Sequence, residues 1–275
     1  MVYLITKDKL QPLYLWPLCI IFYLFLSTPV ITAQAATFPV LPEDSSIYTY
    51  KTENYNPEYE YCLYQTYSSL PSLGHNAVLV TVPGFIGTEE EARAFSKYIY
   101  QYYDYTGRLN ISCSEITSGS QLYNLHIQFG DPQQIYNMQM ETEQKLLNFS
   151  KTLNGLSDRD KIVKANDWIA SNAVYDESLK KTSCYSNVIE GASTCNGYTR
   201  AFYAICCYSG VKCENIRGYV DNKLHIWNKV YTNSSWQYVD VTWNSMSHSN
   251  SWLLISKEEI DADHITSYNM KKSGR

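Results

Sequence analysis

Three segments decide the fold of this chain, and they read Gly191-Ala-Ser-Thr-Cys195-Asn-Gly-Tyr-Thr-Arg-Ala-Phe202, Leu224-His225-Ile-Trp-Asn228 and Trp236-Gln-Tyr-Val-Asp240-Val-Thr-Trp243. They contain a cysteine, a histidine and an aspartate, which are the residue types that build an activated thiol nucleophile. His225 could take the proton of the Cys195 thiol, and Asp240 could orient the imidazole of His225. We therefore interpret these three residues as parts of one site.

The surroundings of Cys195 predict that it lies at the start of a helix. Apolar residues follow it at helical spacing, at positions 198, 201, 202, 205 and 206. Unpaired backbone N–H groups and the helix dipole at such an end favour a thiolate over a thiol. His225 and Asp240 lie in short runs rich in Val, Trp and Tyr, which are typical of strands. A helix end that faces two neighbouring strands could bring all three residues into one cleft.

Composition indicates a folded globular protein. The chain has 275 residues, of which 45% are hydrophobic and 18% charged, and its formal net charge is −5. No cluster of Lys and Arg is present, so nucleic acid is not expected as a partner. The 26 tyrosines favour half-buried sheet surfaces, and a face that stacks carbohydrate is the alternative.

The first 35 residues are typical of a secretory signal peptide. Lys7 and Lys9 precede an apolar run from Leu13 to Leu26, and the small-residue pattern Ala33-Gln-Ala35 follows. The run is shorter than the roughly 20 residues that span a bilayer as a helix. We expect a secreted or cell-surface protein with no stable membrane span once the leader is cleaved. An uncleaved anchor that extends through Ile31 is the alternative.

Seven cysteines remain after the leader, an odd number in a compartment that permits disulfides. Six are left if Cys195 is a free nucleophile, and these could form up to three bridges. Six cysteines allow 15 pairings, among which the sequence does not select. A bridge within 184–213 would staple the region of Cys195, and one between Cys62 and Cys113 would staple the N-terminal part. The alternative is that several of the cysteines are simply buried thiols.

The rest of the chain divides into two predicted parts. Residues 36–130 form an accessory α+β region after a loose lead-in to about residue 60, with strands at 77–82, 109–116 and 122–129 and a helix at 89–103. No chemistry-bearing residues collect in it. Asp131-Pro132 caps a long helix that opens the second part, residues 131–275. Ser157 caps the next helix.

Several short motifs between about Asp158 and His264 make this part similar to a known family. They are, in order, Asp160-Lys161, Asp167-Trp168-Ile169, Tyr175-Asp176, Cys195-x-Gly197-Tyr198, Ala201-Phe202, Ser209-Gly210-Val211, His225-x-Trp227-Asn228, Trp236-x-Tyr238-Val239-Asp240-x-Thr242-Trp243, Leu254-Ile255-Ser256 with Glu258-Glu259, and Asp263-His264. In this order and spacing they resemble the transglutaminase-like superfamily, in particular its secreted bacterial members. The resemblance implies an α+β, papain-like core in which a helix bearing the nucleophile packs on an antiparallel sheet.

The resemblance also implies roles for the three central residues. Cys195 would be the nucleophile, His225 the general base and later the acid, and Asp240 the group that fixes the tautomer of the imidazole. Tyr185 falls ten positions before the thiol, where the family often has a tyrosine in the cleft wall. It could stabilise an oxyanion together with the backbone N–H of Cys195.

Other motif residues are open to two interpretations. Trp227 and Trp243 would line or floor the cleft, or they pack in the core. Ser193 stands where relatives usually have glycine, and Ile226 stands where a smaller residue is common; both departures bear on substrate fit. No carboxylate cluster resembles the calcium sites of animal transglutaminases, and no metal or cofactor is expected.

The chemistry that the resemblance implies is acyl transfer through an acyl-thioester. With water as acceptor the protein would be a cysteine peptidase or amidase, and with a lysine amine it would cross-link proteins. Hydrolysis is preferred because an extracellular site offers water by default. The substrate would be a peptide or protein, including those of the cell wall or cell surface. A binding module that keeps the fold without turnover is the third alternative, against which the intact triad counts.

Overall fold

A computed structural model of the chain describes residues 57–266. The expected leader at 1–35 and most of the expected lead-in, residues 36–56, lie outside this range. Across 57–266, none of the helices combines the length and the apolar character that crossing a bilayer requires.

The first half of the described chain is a small α+β arrangement. Its elements are helix α1 (Pro57–Ser69), a 3-10 turn (Leu70–Leu73), strand β1 (Val78–Thr81), helix α2 (Glu89–Tyr98) with a π-helical extension (Ile99–Tyr103), and strands β2 (Asn110–Glu115) and β3 (Tyr123–Phe129). The strands form an antiparallel sheet in the order β1-β3-β2. The predicted strands and the predicted helix at 89–103 are confirmed. Helix α1 begins within the predicted lead-in.

Local sequence explains why helix α2 forms. Thr88 and Glu91 make a capping box, in which each side chain accepts from the other residue's backbone N–H. Phe95 and Ile99 lie on the buried face of the helix with no exposed surface. They join a core beneath the sheet that includes Ile127 of β3.

The second half contains the site. Its elements are α3 (Pro132–Lys151), α4 (Asp158–Asn172), β4 (Val174–Tyr175), α5 (Cys184–Val188), β5 (Ala192–Ser193), α6 (Cys195–Tyr208), β6 (Cys213–Val220), β7 (Lys223–Thr232), β8 (Ser235–Val239), α7 (Val241–Ser247), β9 (Leu253–Ile255), α8 (Lys257–Ile260) and β10 (Ile265–Thr266). Five strands form an antiparallel sheet in the order β10-β6-β7-β8-β9, and β4 pairs with β5 in parallel. Asp131 and Ser157 cap α3 and α4 as predicted.

Helix α6 is the central element of this half. Its residues Tyr198, Ala201, Phe202 and Ile205 have no exposed surface, and the helix packs against β6 and β7 of the five-stranded sheet. The helical spacing noted in the sequence therefore marks the buried face. The fold is α+β, with the Cys195 helix packed on an antiparallel sheet as expected.

The strand predicted around Asp240 is wrong in its extent. Strand β8 ends at Val239, and Asp240 is the N-cap of helix α7, where its side chain accepts the backbone N–H of Trp243 at 3.1 Å. An aspartate at an N-cap satisfies one of the free N–H groups of the first helical turn. This local preference outweighs the strand propensity of the valines and aromatic residues around it.

The two halves pack against each other within the described residues. The rings of Tyr102 and Tyr203 lie 4.9 Å apart, and the hydroxyls of Tyr105 and Tyr208 are 2.9 Å apart. Helix α3 contacts both the 3-10 turn of the first half and α6 of the second. The domain boundary at residue 130 stays a prediction.

None of the seven cysteines in the range 57–266 forms a disulfide. The bridge between Cys62 and Cys113 and the bridge within 184–213 are therefore not formed. Five of the seven are buried, at positions 62, 184, 206, 207 and 213, which agrees with the alternative of buried thiols. Cys206 and Cys213 are hydrogen-bonded to each other, and burial chiefly raises the pKa of Cys213 well above its ordinary value.

Candidate active site

Cys195 is the first residue of helix α6 and is only partly buried. The turn before it is held in place because the backbone N–H of Thr194 donates to the carbonyl of Lys181 at 2.7 Å. Gly197 allows the helix to start close to this turn, since a Cβ atom there would lie 2.5 Å from both the carbonyl oxygen of Ser183 and Oγ of Ser193. The thiol is thus fixed at the end of a helix whose first N–H groups have no partner within the helix.

The two departures from the family pattern have structural roles. Ser193 is fully buried, and its hydroxyl accepts a hydrogen bond from the amide of Asn187 at 3.0 Å. Ile226 is also buried, and its carbonyl accepts the hydroxyl of Thr199 on helix α6 at 2.9 Å. Both residues therefore contribute to the packing around α6.

His225 lies on strand β7 and connects the thiol with the carboxylate. Its Nε2 is 2.7 Å from Oδ2 of Asp240, and Cys195 lies close enough to the imidazole to raise its pKa. Because Nε2 is engaged with the carboxylate, Nδ1 is the ring nitrogen left to interact with the thiol. Burial lowers the pKa of His225, but the hydrogen bonds to Asp240 and Cys195 outweigh it and raise the pKa from 6.5 to about 10.

Asp240 is completely buried and fully hydrogen-bonded. Its Oδ2 accepts from Nε2 of His225 and, at 2.9 Å, from Nε2 of His264, while Oδ1 accepts from the backbone N–H of Trp243. Burial alone would raise the pKa of Asp240. The hydrogen bonds from the two histidines outweigh it and lower the pKa from 3.8 to about 2. The carboxylate therefore stays ionised across the physiological pH range.

His264 is the residue of this cluster that the sequence analysis missed as a site residue. It appears there only inside the closing motif Asp263-His264. The distance of 24 positions from Asp240 hides the contact, and only the antiparallel pairing of β10 with β6 brings the loop before β10 back to the cluster.

The two tryptophans have different surroundings. Trp227 is 1% exposed and lies beneath the cluster, its ring 6.0 Å from that of His225 and 4.8 Å from that of His264. Trp243 is only partly buried, with its ring 6.2 Å from His225 and 4.7 Å from His264. Trp227 is thus packed in the core beside the two imidazoles, whereas Trp243 contacts them and remains partly exposed.

Tyr175, and not Tyr185, interacts electrostatically with Cys195. Burial raises the pKa of Tyr185, and the charged groups that act on it are Glu141, Glu190 and Arg108; Cys195 is not among them. Burial also raises the pKa of Tyr175, followed by the charge of Cys195, and Asp240 contributes as well. The phenol near the thiol is therefore that of Tyr175.

Strand pairing explains the position of Tyr175. It pairs with Ser193 across the β4–β5 ladder, two residues before the thiol. The motif Tyr175-Asp176 is present in the sequence, but the strand pairing that carries it to Cys195 is not evident there.

A pocket of about 580 Å³ opens beside Tyr175. The end of α4, strand β4 and helix α7 surround it, and its lining includes Ala170, Val174, Glu177, Gly191, Met246 and His248. Val174 and Met246 are 69% and 50% exposed, so apolar side chains border a groove that shares Tyr175 with the surroundings of the thiol.

Among residues 57–266, the side chains of His225, Asp240 and His264 are close enough together to offer ligands to one metal ion. One ligand atom from each of His225, Asp240 and His264 lies within 4.8 Å of the others. In this structure those atoms are engaged with one another, since Oδ2 of Asp240 lies at hydrogen-bonding distance from both imidazoles. We interpret the cluster as a hydrogen-bonded assembly.

One known protein family matches the part of the chain that contains this site. Residues 147–241 match the family described as the transglutaminase-like superfamily. This part of the chain resembles that superfamily. The match includes Cys195, His225 and Asp240. No curated protein matches the sequence significantly.

Three solved structures show a distant similarity to the chain. A candidate cysteine protease from Cytophaga hutchinsonii is 13% identical with a TM-score of 0.35, and the alignment covers 70% of this chain and 68% of that one. A transglutaminase ("TGase") is 12% identical with a TM-score of 0.32, covering 62% and 51%. A candidate protease from Parabacteroides distasonis is 10% identical with a TM-score of 0.28, covering 60% and 40%. The chain thus spans about half or less of the second and third structures.

Proposed function

We propose that this chain is a thiol enzyme that transfers acyl groups from peptide or amide bonds, with Cys195 as nucleophile, His225 as acid and base, and Asp240 as the group that orients His225. The single observation that carries the proposal is that His225, hydrogen-bonded to Asp240 at 2.7 Å, also interacts with the Cys195 thiol at the start of a buried helix. Such an arrangement has the geometry of a triad.

The raised pKa of His225 favours a preformed pair of thiolate and imidazolium. With a pKa of about 10, His225 is protonated at neutral pH, and its proton comes from the Cys195 thiol. The thiolate attacks the carbonyl carbon, and the imidazolium then gives its proton to the leaving amine as the C–N bond breaks. An acyl-thioester remains on Cys195, and neutral His225 can deprotonate the acceptor that releases it.

Two donors are placed to stabilise the oxyanion of the tetrahedral intermediate. The backbone N–H of Cys195 is at the helix start, where no intrahelical acceptor exists. The phenol of Tyr175 is the second candidate, because its raised pKa keeps it protonated and able to donate. Tyr175 takes this role in place of Tyr185.

We propose water as the acceptor, so that the reaction is hydrolysis, and a peptide or protein exposed at the cell surface as the substrate. The groove beside Tyr175, lined by the end of α4, strand β4 and helix α7, supports a chain-like substrate. Export through the leader at 1–35 belongs to the same proposal.

The test incubates the protein with a glutamine-containing peptide, with and without a labelled primary amine, beside the variant Cys195→Ala. Peptide fragments or released ammonia without amine incorporation support hydrolysis, whereas incorporation of the amine indicates cross-linking. Activity that persists in Cys195→Ala would remove Cys195 from the mechanism. Absence of every product, with a broad peptide library as substrate, would favour a binding module.

A further inference from the structure

His264 is a buried histidine held between two carboxylates. It has no exposed surface, its Nε2 is 2.9 Å from Oδ2 of Asp240, and its Nδ1 contacts Oδ1 of Asp263 at 2.5 Å. Asp240 in turn contacts His225. The proposed mechanism assigns no task to His264, although it is in direct contact with the carboxylate on which that mechanism depends.

Local structure fixes the position of this imidazole. The backbone N–H of His264 donates to the carbonyl of Ile260 at the end of α8 at 2.9 Å, and the next residue, Ile265, pairs with Tyr219 of β6. The rings of Trp227 and Trp243 lie 4.8 and 4.7 Å away. With the backbone held on both sides and indole rings against the imidazole, the ring has little freedom to turn.

The hydrogen-bond inventory indicates the protonation state of His264. A neutral imidazole has one N–H donor and one acceptor nitrogen, and an ionised carboxylate only accepts. Because both nitrogens face carboxylate oxygens, both must carry a proton for the two hydrogen bonds to form. In that arrangement Nε2–H donates to Asp240 and Nδ1–H donates to Asp263, so the ring is held between the two carboxylates.

We propose that His264 is a positioning residue for the thiol site, whose Nε2–H holds the Asp240 carboxylate in the orientation that receives His225. The inference rests on the proposed function of Cys195 and His225. Asp240 is buried, so a lost donor would leave Oδ2 with His225 as its one side-chain partner. The carboxylate could then turn about its side-chain torsions, and the imidazole of His225 would lose its fixed alignment with the sulfur.

The first experiment measures the rate at which iodoacetamide alkylates Cys195 at pH 6 in the full chain, followed by peptide mass spectrometry. His264→Gln keeps an amide N–H near the position of Nε2, whereas His264→Leu fills the space without a donor. We expect His264→Gln to be alkylated within about threefold of the native rate, and the alkylation rate of His264→Leu to be lower by at least about tenfold. A tenfold change in rate corresponds to about 1.4 kcal/mol, which is the scale of one hydrogen bond to a charged group.

His75→Leu is the matched control, because His75 also pairs with an aspartate, Asp131, but on the surface. It should leave the alkylation of Cys195 unchanged. Equal rates in His264→Gln and His264→Leu, whether both are native-like or both are lost, would overturn the positioning role.

A second measurement needs no variant at position 264, so it decides the matter even if the leucine protein fails to fold. The nitrogen-15 shifts of His264 at pH 7 report whether each ring nitrogen carries a proton. We expect both to be protonated; an unprotonated Nε2 would show that His264 does not donate to Asp240.

The two proposals fail in different ways. Alkylation and nitrogen shifts use no substrate, so a protein without turnover but with the expected difference between His264→Gln and His264→Leu would contradict the proposed function alone. Turnover on peptides with identical alkylation in the two variants would contradict the role of His264 alone.

Discussion

Replacing Asp240 with asparagine tests how the carboxylate controls His225. In the native protein the pKa of His225 is raised from 6.5 to about 10, which corresponds to roughly 5 kcal/mol in favour of the imidazolium. Asp240 and Cys195 both contribute to this rise through a hydrogen bond and through charge, and for each kind of interaction Asp240 has the larger effect. Asp240→Asn therefore removes the larger of the two upward contributions, while burial still lowers the pKa.

We expect the pKa of His225 to fall by at least about two, to about 8 or lower, a change of roughly 2.7 kcal/mol. Histidine NMR can measure it directly, because the chain contains only five histidines, and His225→Gln would assign the resonance. Asp158→Asn, on the exposed first turn of α4, is the control for the same chemical change elsewhere. If His225 titrates at the same pH in the native protein and in Asp240→Asn, the carboxylate does not set its protonation and the reasoning is refuted.

The remaining predictions concern the thiol, the helix start and the pH dependence of stability. In the native protein brief alkylation should label the exposed Cys113 and the half-buried Cys195 and leave the five buried cysteines until the chain unfolds; early labelling of those would contradict the packing. Cys195→Ala should lose all turnover while its melting temperature stays within a few degrees of the native value, and turnover in that variant would exclude a thiol mechanism. Gly197→Ala should destabilise the protein by at least about 3 kcal/mol in denaturant unfolding, because its Cβ would collide with backbone; Gly130→Ala, where a Cβ meets nothing within 4 Å, is the control, and equal effects would refute the argument. The pKa of Asp240 is about 2 in the folded protein against an ordinary 3.8, so the ionised carboxylate contributes about 2 kcal/mol to the free energy of unfolding above pH 4, and this contribution is lost as the pH falls through 2. The difference in unfolding free energy between the native protein and Asp240→Asn should therefore narrow from pH 5 to pH 2. A constant difference would contradict the lowered pKa.

Sequence alone predicted the elements that local signals determine. The helix at Cys195 followed from apolar residues at helical spacing, and the same positions form its buried face. The caps at Asp131 and Ser157 followed from residue type. These features depend on neighbours within one or two turns, so the sequence contains all the information that they require.

Other features depend on contacts between distant parts of the chain. An aspartate such as Asp240 is a common N-cap residue, but the valine and aromatic residues around it favoured a strand. In the structure the strand ends before Asp240, which caps the next helix. His264 and Tyr175 reach the site only through the β6–β10 and β4–β5 pairings. No periodicity in the sequence encodes those pairings, so the sequence analysis did not single out Tyr175 or His264 as site residues.

The central claim is that Cys195 is held as a thiolate by His225, and the most direct test compares two cysteines within one molecule. An ordinary exposed thiol with a pKa of 8.5 is only about 0.3% ionised at pH 6, and Cys113 is exposed and free, so it serves as the internal reference. At pH 6 we predict that iodoacetamide alkylates Cys195 at least about tenfold faster than Cys113, and that His225→Gln abolishes the difference. Alkylation of Cys195 no faster than that of Cys113 in the native protein would contradict the account.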